Sequence, residues 1–171
     1  MTIGYGIIGT GMMGIEHAMN LKILDGVEIV AVSDPNPEPR DWIRPVLAPS
    51  TAILTDTEEL LGRSDVDVAV IASPNFTHRE VLEKVLAAGK HVMVEKPMCT
   101  TLEDAVWAHE AAKRYRGLFW VGLEYRYMGP IQRLVSELQG GTAGKARMIA
   151  IREHRFPFLP KVGDWNRFNR N

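Results

Sequence analysis

The chain has a single cysteine, Cys99, so no disulfide can form within it, which suits a reducing compartment. It also lacks a dominant charge. The formal net charge is −1 at pH 7, which gives no overall pull toward nucleic acid or an anionic membrane. No apolar run is long enough to cross a bilayer. No basic stretch precedes an apolar core at the N-terminus, so no signal peptide is read there. His91, His109 and His154 show no metal-ligand spacing, and Cys99 has no base partner in the pattern, so it reads as a buried or idle thiol. The expectation is a cytoplasmic protein without a metal, and with neither nucleic acid nor membrane as partner. The 46% apolar and 24% charged content fits a globular core. A length of 171 residues allows one full domain and part of a second.

Glycine carries the clearest signal. Residues 3–14 read IGYGIIGTGMMG: an apolar run that ends in Gly9-Thr10-Gly11-Met12-Met13-Gly14. Asp34 follows 20 residues after Gly14, at the end of a second apolar run. A βαβ unit needs this order to hold a dinucleotide. Gly9 allows the tight turn, Gly11 lets backbone approach a pyrophosphate, and Gly14 lets the helix pack closely on the sheet. The helix start offers N–H groups and a positive dipole end to the phosphates. A carboxylate at Asp34 can accept from a ribose diol and would repel a 2′-phosphate, which favours NAD over NADP. Methyltransferases that use S-adenosylmethionine carry a similar Gly-rich turn, so the fingerprint alone leaves both classes open.

Strands alternate with helices up to residue 123. The pattern predicts strands at Ile3–Ile8, Val27–Ser33, Thr51–Leu54, Asp67–Ala72, His91–Glu95 and Phe119–Leu123. Predicted helices are Met12–Leu24, a short one capped by Asp56, Thr77–Ala88, and Leu102–Tyr115 capped by Thr101 or Thr100. Five prolines between residues 34 and 50 allow at most short helical turns there. Strands separated by helices imply parallel pairing, hence an α/β fold with a Rossmann-type doubly wound sheet over residues 1–123.

The pattern changes at residue 124. A helix is predicted at Pro130–Leu138, and Ala146–Glu153 alternates as a strand with two distinct faces should. One helix and one strand cannot bury a core of their own. Residues 124–171 therefore read as the incomplete beginning of an α+β second domain. From residue 145 onward seven Lys/Arg stand against two acids. No nucleic-acid module accompanies them, so they read as a polar segment or the lining of a site for an anionic cofactor.

A second motif lies at residues 92–101, VMVEKPMCTT. Glu95-Lys96-Pro97 falls at the C-terminal end of a parallel strand, the edge where open α/β sheets bind ligands. A lysine there can meet a substrate hydroxyl and a cofactor ribose together. Pro97 fixes the turn and restricts Lys96 to extended geometry. The fingerprint, Asp34, ASPNFTH at residues 72–78 and EKP occur in that order. Together they resemble the glucose–fructose oxidoreductase / inositol dehydrogenase / MocA family of NAD(P)-dependent oxidoreductases, over essentially the whole chain, and argue against the methyltransferase reading.

The resemblance implies roles residue by residue. Gly9, Thr10, Gly11, Met12, Met13 and Gly14 would cradle the pyrophosphate, and Asp34 would bind the adenosine ribose. Ser73, Pro74 and Asn75 would line the cofactor, with His78 nearby. Glu95 and Lys96 would meet the nicotinamide ribose, and Lys96 would also orient the reacting carbinol and help its proton leave. Arg126, within Tyr125-Arg126-Tyr127, would approach the cofactor from the crossing into the second domain, and Trp165 resembles a substrate-side position. His17 also resembles a family position, and reads as a packed surface histidine.

Family enzymes carry their general base on a Gly-rich stretch of the second domain, and the match ends at Asn171, before that stretch. The expectation is thus the NAD-binding portion of a dehydrogenase for a sugar- or cyclitol-type secondary alcohol, C-terminally truncated and inactive alone. It would form a homo-oligomer only if its second domain were complete. The alternative is a non-catalytic NAD-sensing or partner-binding module.

Overall fold

Six parallel strands carry the first part of the chain, in the order β3-β2-β1-β4-β5-β6. The structure is a computed structural model that describes residues 2–142 and 144–154. The described residues divide into two compact units, one reaching to Gly122 and one starting at Leu123. In the first unit the strands are β1 (Ile3–Ile8), β2 (Val27–Ser33), β3 (Ala52–Leu54), β4 (Val68–Ile71), β5 (His91–Glu95) and β6 (Phe119–Gly122). Between them run α1 (Met12–Leu21), α2 (Pro37–Ile43), α3 (Thr57–Leu61), α4 (His78–Ala87) and α5 (Leu102–Arg114).

The strand sequences are apolar almost without interruption because both faces of the sheet are covered. Successive side chains alternate between two cores. Ile7, Val32 and Val70 enter one, together with Ala18 of α1 and Ile43 of α2. Ile8, Ala31, Ile71, Val92 and Val94 enter the other, together with Leu60 of α3 and Val81, Leu82 and Val85 of α4. This division follows from handedness. The chain moves outward from β1 through β2 to β3, then returns and moves the other way through β4, β5 and β6. Right-handed crossovers in opposite directions place their helices on opposite faces. The direction reverses between β1 and β4, which opens a crevice beyond their C-terminal ends.

Local chemistry sets the element ends. Asp56 accepts from the N–H groups of Glu58 and Glu59 and starts α3, and Thr101 accepts from Asp104 N–H at the start of α5. Helix α2 tolerates Pro37 and Pro39 because both lie in its first turn, where N–H groups have no intrahelical partner. Helix α1 stops three residues earlier than its apolar pattern suggests. Ile23 and Leu24 bond back to Asn20 and Leu21 in a tighter turn, and at 81% and 54% exposure they have no core to face.

The second unit contains a 3₁₀ turn at Glu124–Tyr127 and α6 (Gly129–Gln139). The strand expected at Ala146–Glu153 is not formed. Alternation makes a strand only where a neighbouring strand takes up its N–H and C=O groups, and among the described residues none pairs with this segment. Its apolar residues are exposed on both alternating sets, with Met148 at 86% and Ile151 at 78%. Tyr125 OH donates to the Glu153 carboxylate within this unit.

Candidate functional site

Strand register brings four loops to one edge. Ile8 pairs with Ser33 of β2 and with Ile71 of β4, and Ile71 pairs with Val94 of β5. The residues that follow these strands, Gly9, Asp34, Ala72-Ser73 and Glu95-Lys96, are therefore neighbours along the C-terminal edge of the sheet.

The three fingerprint glycines have different physical reasons. Gly9 has φ +94°, and a Cβ there would lie 2.6 Å from the Ala72 carbonyl carbon. At Gly14 a Cβ would lie 2.1 Å from the Gly9 carbonyl oxygen, so only glycine lets α1 approach the turn. At Gly11 a Cβ would meet nothing within 4 Å. Space is thus left open over the start of α1, where no side chain caps the helix and no acid occupies its first turn. Beside this start, Thr10 is fully buried, and its Oγ1 has no hydrogen-bond partner among the described residues. An uncapped helix start behind an open glycine fits an anionic group such as a pyrophosphate. Of the neighbouring methionines, Met12 is exposed and Met13 half-buried.

Asp34 is buried and oriented. Its Oδ2 accepts from Thr10 N–H at 2.9 Å, and its Oδ1 accepts from Asn36 N–H at 2.9 Å. Each carboxylate oxygen accepts more than one bond, so capacity remains for a ribose diol. Arg40 of α2 donates through Nη1 to the Asp34 backbone carbonyl. Sequence reasoning missed this arginine. The available signal was its place six residues after the ribose-type acid, in the proline-rich segment that replaces a long crossover helix.

After β4, Ser73, Pro74 and Asn75 are half-buried. Ser73 Oγ and Thr77 Oγ1 are 2.7 Å apart, and Thr77 Oγ1 donates to the Pro74 carbonyl at 2.8 Å. His78 is fully buried. Its Nδ1 is 2.8 Å from the Pro97 carbonyl oxygen and its Nε2 is 3.0 Å from the Ser73 carbonyl oxygen. Both ring nitrogens are thus engaged with backbone, and the imidazole joins the loop after β4 to the loop after β5.

At the end of β5, Glu95 is buried. Its Oε1 accepts from His17 Nε2 of α1 at 2.9 Å, and its Oε2 accepts from the Lys96 N–H at 3.1 Å. Burial pushes the Glu95 carboxyl up, but the hydrogen bond and charge of His17, then the N–H and charge of Lys96, hold it below the ordinary carboxylate value. Lys96 is half-buried, and its peptide bond to Pro97 is cis. His17 is packed, its side chain only 14% exposed, but its partner at the end of β5 was not legible from spacing.

Two expected residues are not brought to this edge by anything described. Arg126 is exposed and belongs to the second unit, and Trp165 lies outside the described residues. Among the described residues, no group of three or more His, Cys, Asp and Glu is arranged to hold a metal ion. No described helix is long and apolar enough to cross a membrane.

A doubly wound parallel sheet, with its glycine turn, ribose-type acid and open helix start at the switch point, defines a dinucleotide-binding domain of the Rossmann class. The family model described as an oxidoreductase family with an NAD-binding Rossmann fold matches residues 3–123. The chain belongs to that family, the glucose–fructose oxidoreductase / inositol dehydrogenase / MocA oxidoreductases. It is 35% identical to an inositol 2-dehydrogenase of Agrobacterium fabrum, over 94% of this chain and 48% of that protein. It is also 35% identical to an inositol 2-dehydrogenase of Gluconacetobacter diazotrophicus, over 87% of this chain and 45% of that protein. Among solved structures, it resembles the scyllo-inositol dehydrogenase of Lactobacillus casei with bound NAD(H) and scyllo-inositol. That likeness has a TM-score of 0.76 and 25% identity, and covers 84% of this chain and 43% of that one. The chain thus spans a little under half the length of these relatives.

Proposed function

We propose that this chain is the cofactor-holding half of an NAD-dependent dehydrogenase acting on a secondary alcohol of a polyol, with an inositol-type cyclitol as the substrate class. The observation that carries the reading is the convergence of the β1, β2, β4 and β5 loops on one edge, with an uncapped helix start behind Gly11. The inositol dehydrogenase relatives support the substrate class.

NAD, when bound, supplies the acceptor for the hydride of the alcohol carbon. The chain's own residues bind, orient and hold charge. The turn Gly9–Gly14 receives the pyrophosphate on backbone N–H groups. Asp34 receives the adenosine ribose diol, and Ser73, Pro74 and Asn75 line the path between the two ends. Glu95 and Lys96 serve the nicotinamide ribose end. Lys96 orients the carbinol oxygen and stabilises the charge that oxygen gains as its proton leaves.

NAD is favoured over NADP because a buried carboxylate at Asp34 repels a 2′-phosphate. Arg40 beside Asp34 supports a second reading in which NADP is also accepted, since a guanidinium at that place can receive the phosphate. The test is a titration of the 171-residue chain with NADH and NADPH, followed by nicotinamide fluorescence. Saturable NADH binding is expected, weaker for NADPH, abolished in Gly11→Val and retained in Lys96→Ala. Failure of the unaltered chain to bind either dinucleotide overturns the proposal.

A further inference from the structure

Glu95 stands at the proposed nicotinamide end, yet both of its oxygens already have partners within the chain. Oε1 takes the His17 Nε2–H and Oε2 takes the Lys96 backbone N–H. The His17 side chain is 14% exposed and that of Glu95 11%, so the pair is largely shielded from water. A charge-assisted bond there is stronger and more directional than the same bond in solvent. His17 lies on α1, the helix that begins at the glycine turn, and Glu95 ends β5. Opposite Glu95 in the sheet is Gly122 of β6, where a Cβ would come within 3.3 Å of Glu95 Oε1. Glycine at that register leaves the carboxylate room to turn toward α1.

We infer that His17 is a positioning residue for Lys96: through Glu95 it fixes the backbone that carries the lysine and ties that backbone to the helix that starts at the fingerprint. The two motifs of the sequence, GTGMMG and EKP, are then one mechanical unit. The chain of contacts runs from α1 through the imidazole and the carboxylate to the Lys96 amide. A histidine suits the task because its ring reaches across the gap with a stiff N–H, whereas an apolar side chain would leave Oε1 unpaired. The role in Lys96 chemistry rests on the dehydrogenase reading, but the linkage itself does not.

The experiment is a pH titration of the unaltered chain by NMR, following the Glu95 carboxyl carbon and the Lys96 amide. NADH affinity is measured alongside by fluorescence. The carboxyl carbon and the Lys96 amide are expected to report a shared midpoint as Glu95 protonates. In His17→Leu that midpoint moves up and the Lys96 amide changes shift at neutral pH. In His17→Gln, whose amide can still donate to the carboxylate, the Lys96 amide returns toward its original position. A Lys96 amide that does not follow Glu95 in the unaltered chain overturns the inference without any variant. So does a folded His17→Leu variant with the Glu95 and Lys96 signals unmoved. Absence of NADH binding in the unaltered chain, with the shared midpoint present, instead overturns the functional reading and leaves the linkage standing.

Discussion

Asp34 Oδ2 accepts the backbone N–H of Thr10 at 2.9 Å, so the acid after β2 and the glycine turn after β1 hold each other in place. Removing the carboxylate therefore affects both ligand and turn. Asp34→Ala is expected to weaken NADH binding by about 10- to 100-fold, the range for losing hydrogen bonds to a charged acceptor. NADPH binding should weaken less, and Arg40→Ala in that background should lower the remaining NADPH binding. Fluorescence titration with both dinucleotides reads both effects.

Gly11 and Gly14, three residues apart, should respond oppositely. Gly14→Ala puts a methyl group against the Gly9 carbonyl oxygen, with a Cβ only 2.1 Å away. It should destabilise the fold by about 3 kcal/mol or more, as overpacking against fixed backbone does. Gly11→Ala meets open space, so thermal unfolding should stay within about a degree or two of the unaltered chain. Its deficit should appear in dinucleotide affinity instead. Equal losses of stability in the two variants would contradict this division.

His78→Ala leaves a cavity and strips the Pro97 and Ser73 carbonyls of their shared partner. A stability loss of about 3 kcal/mol is expected from the lost packing and hydrogen bonds. Urea unfolding should show a lower midpoint with little change in slope.

Acid should weaken the fold through Glu95. Its carboxyl is held below the ordinary value when folded, so the unfolded chain binds the proton more readily. That stability is fully present above the unfolded carboxylate range and is lost as pH falls through the folded value. Glu95→Gln removes the titrating group, so the stability difference between it and the unaltered chain should shrink between about pH 7 and pH 3. A difference that stays constant with pH would show that the pairing with His17 and Lys96 does not hold the charge.

The alternation of elements was legible because parallel strands buried on both faces read as unbroken apolar runs, as in Val27–Ser33 and His91–Glu95. The glycine turn and Asp34 were legible because backbone sterics demand glycine at Gly9 and Gly14. Contacts across the sheet were not. His17 and Glu95 are 78 residues apart in the chain, and nothing local announces their meeting. Arg40 was hidden by the prolines around it, which mark a turn and conceal what the turn delivers. Ala146–Glu153 misled for the opposite reason: its pattern is local, while a strand needs a partner.

The central place of β1 also imposes an order on synthesis. Ile3–Ile8 leaves the ribosome before both of its partners and can pair with Val27–Ser33 soon afterwards, but its other side waits for Val68–Ile71. At about 5–20 residues per second, that side stays bare for several seconds. An apolar strand edge open for that long is a template for pairing with other nascent chains. A pause in translation between β3 and β4 would prolong the most association-prone form of this protein, and codon choice there should affect how much of it reaches the folded state.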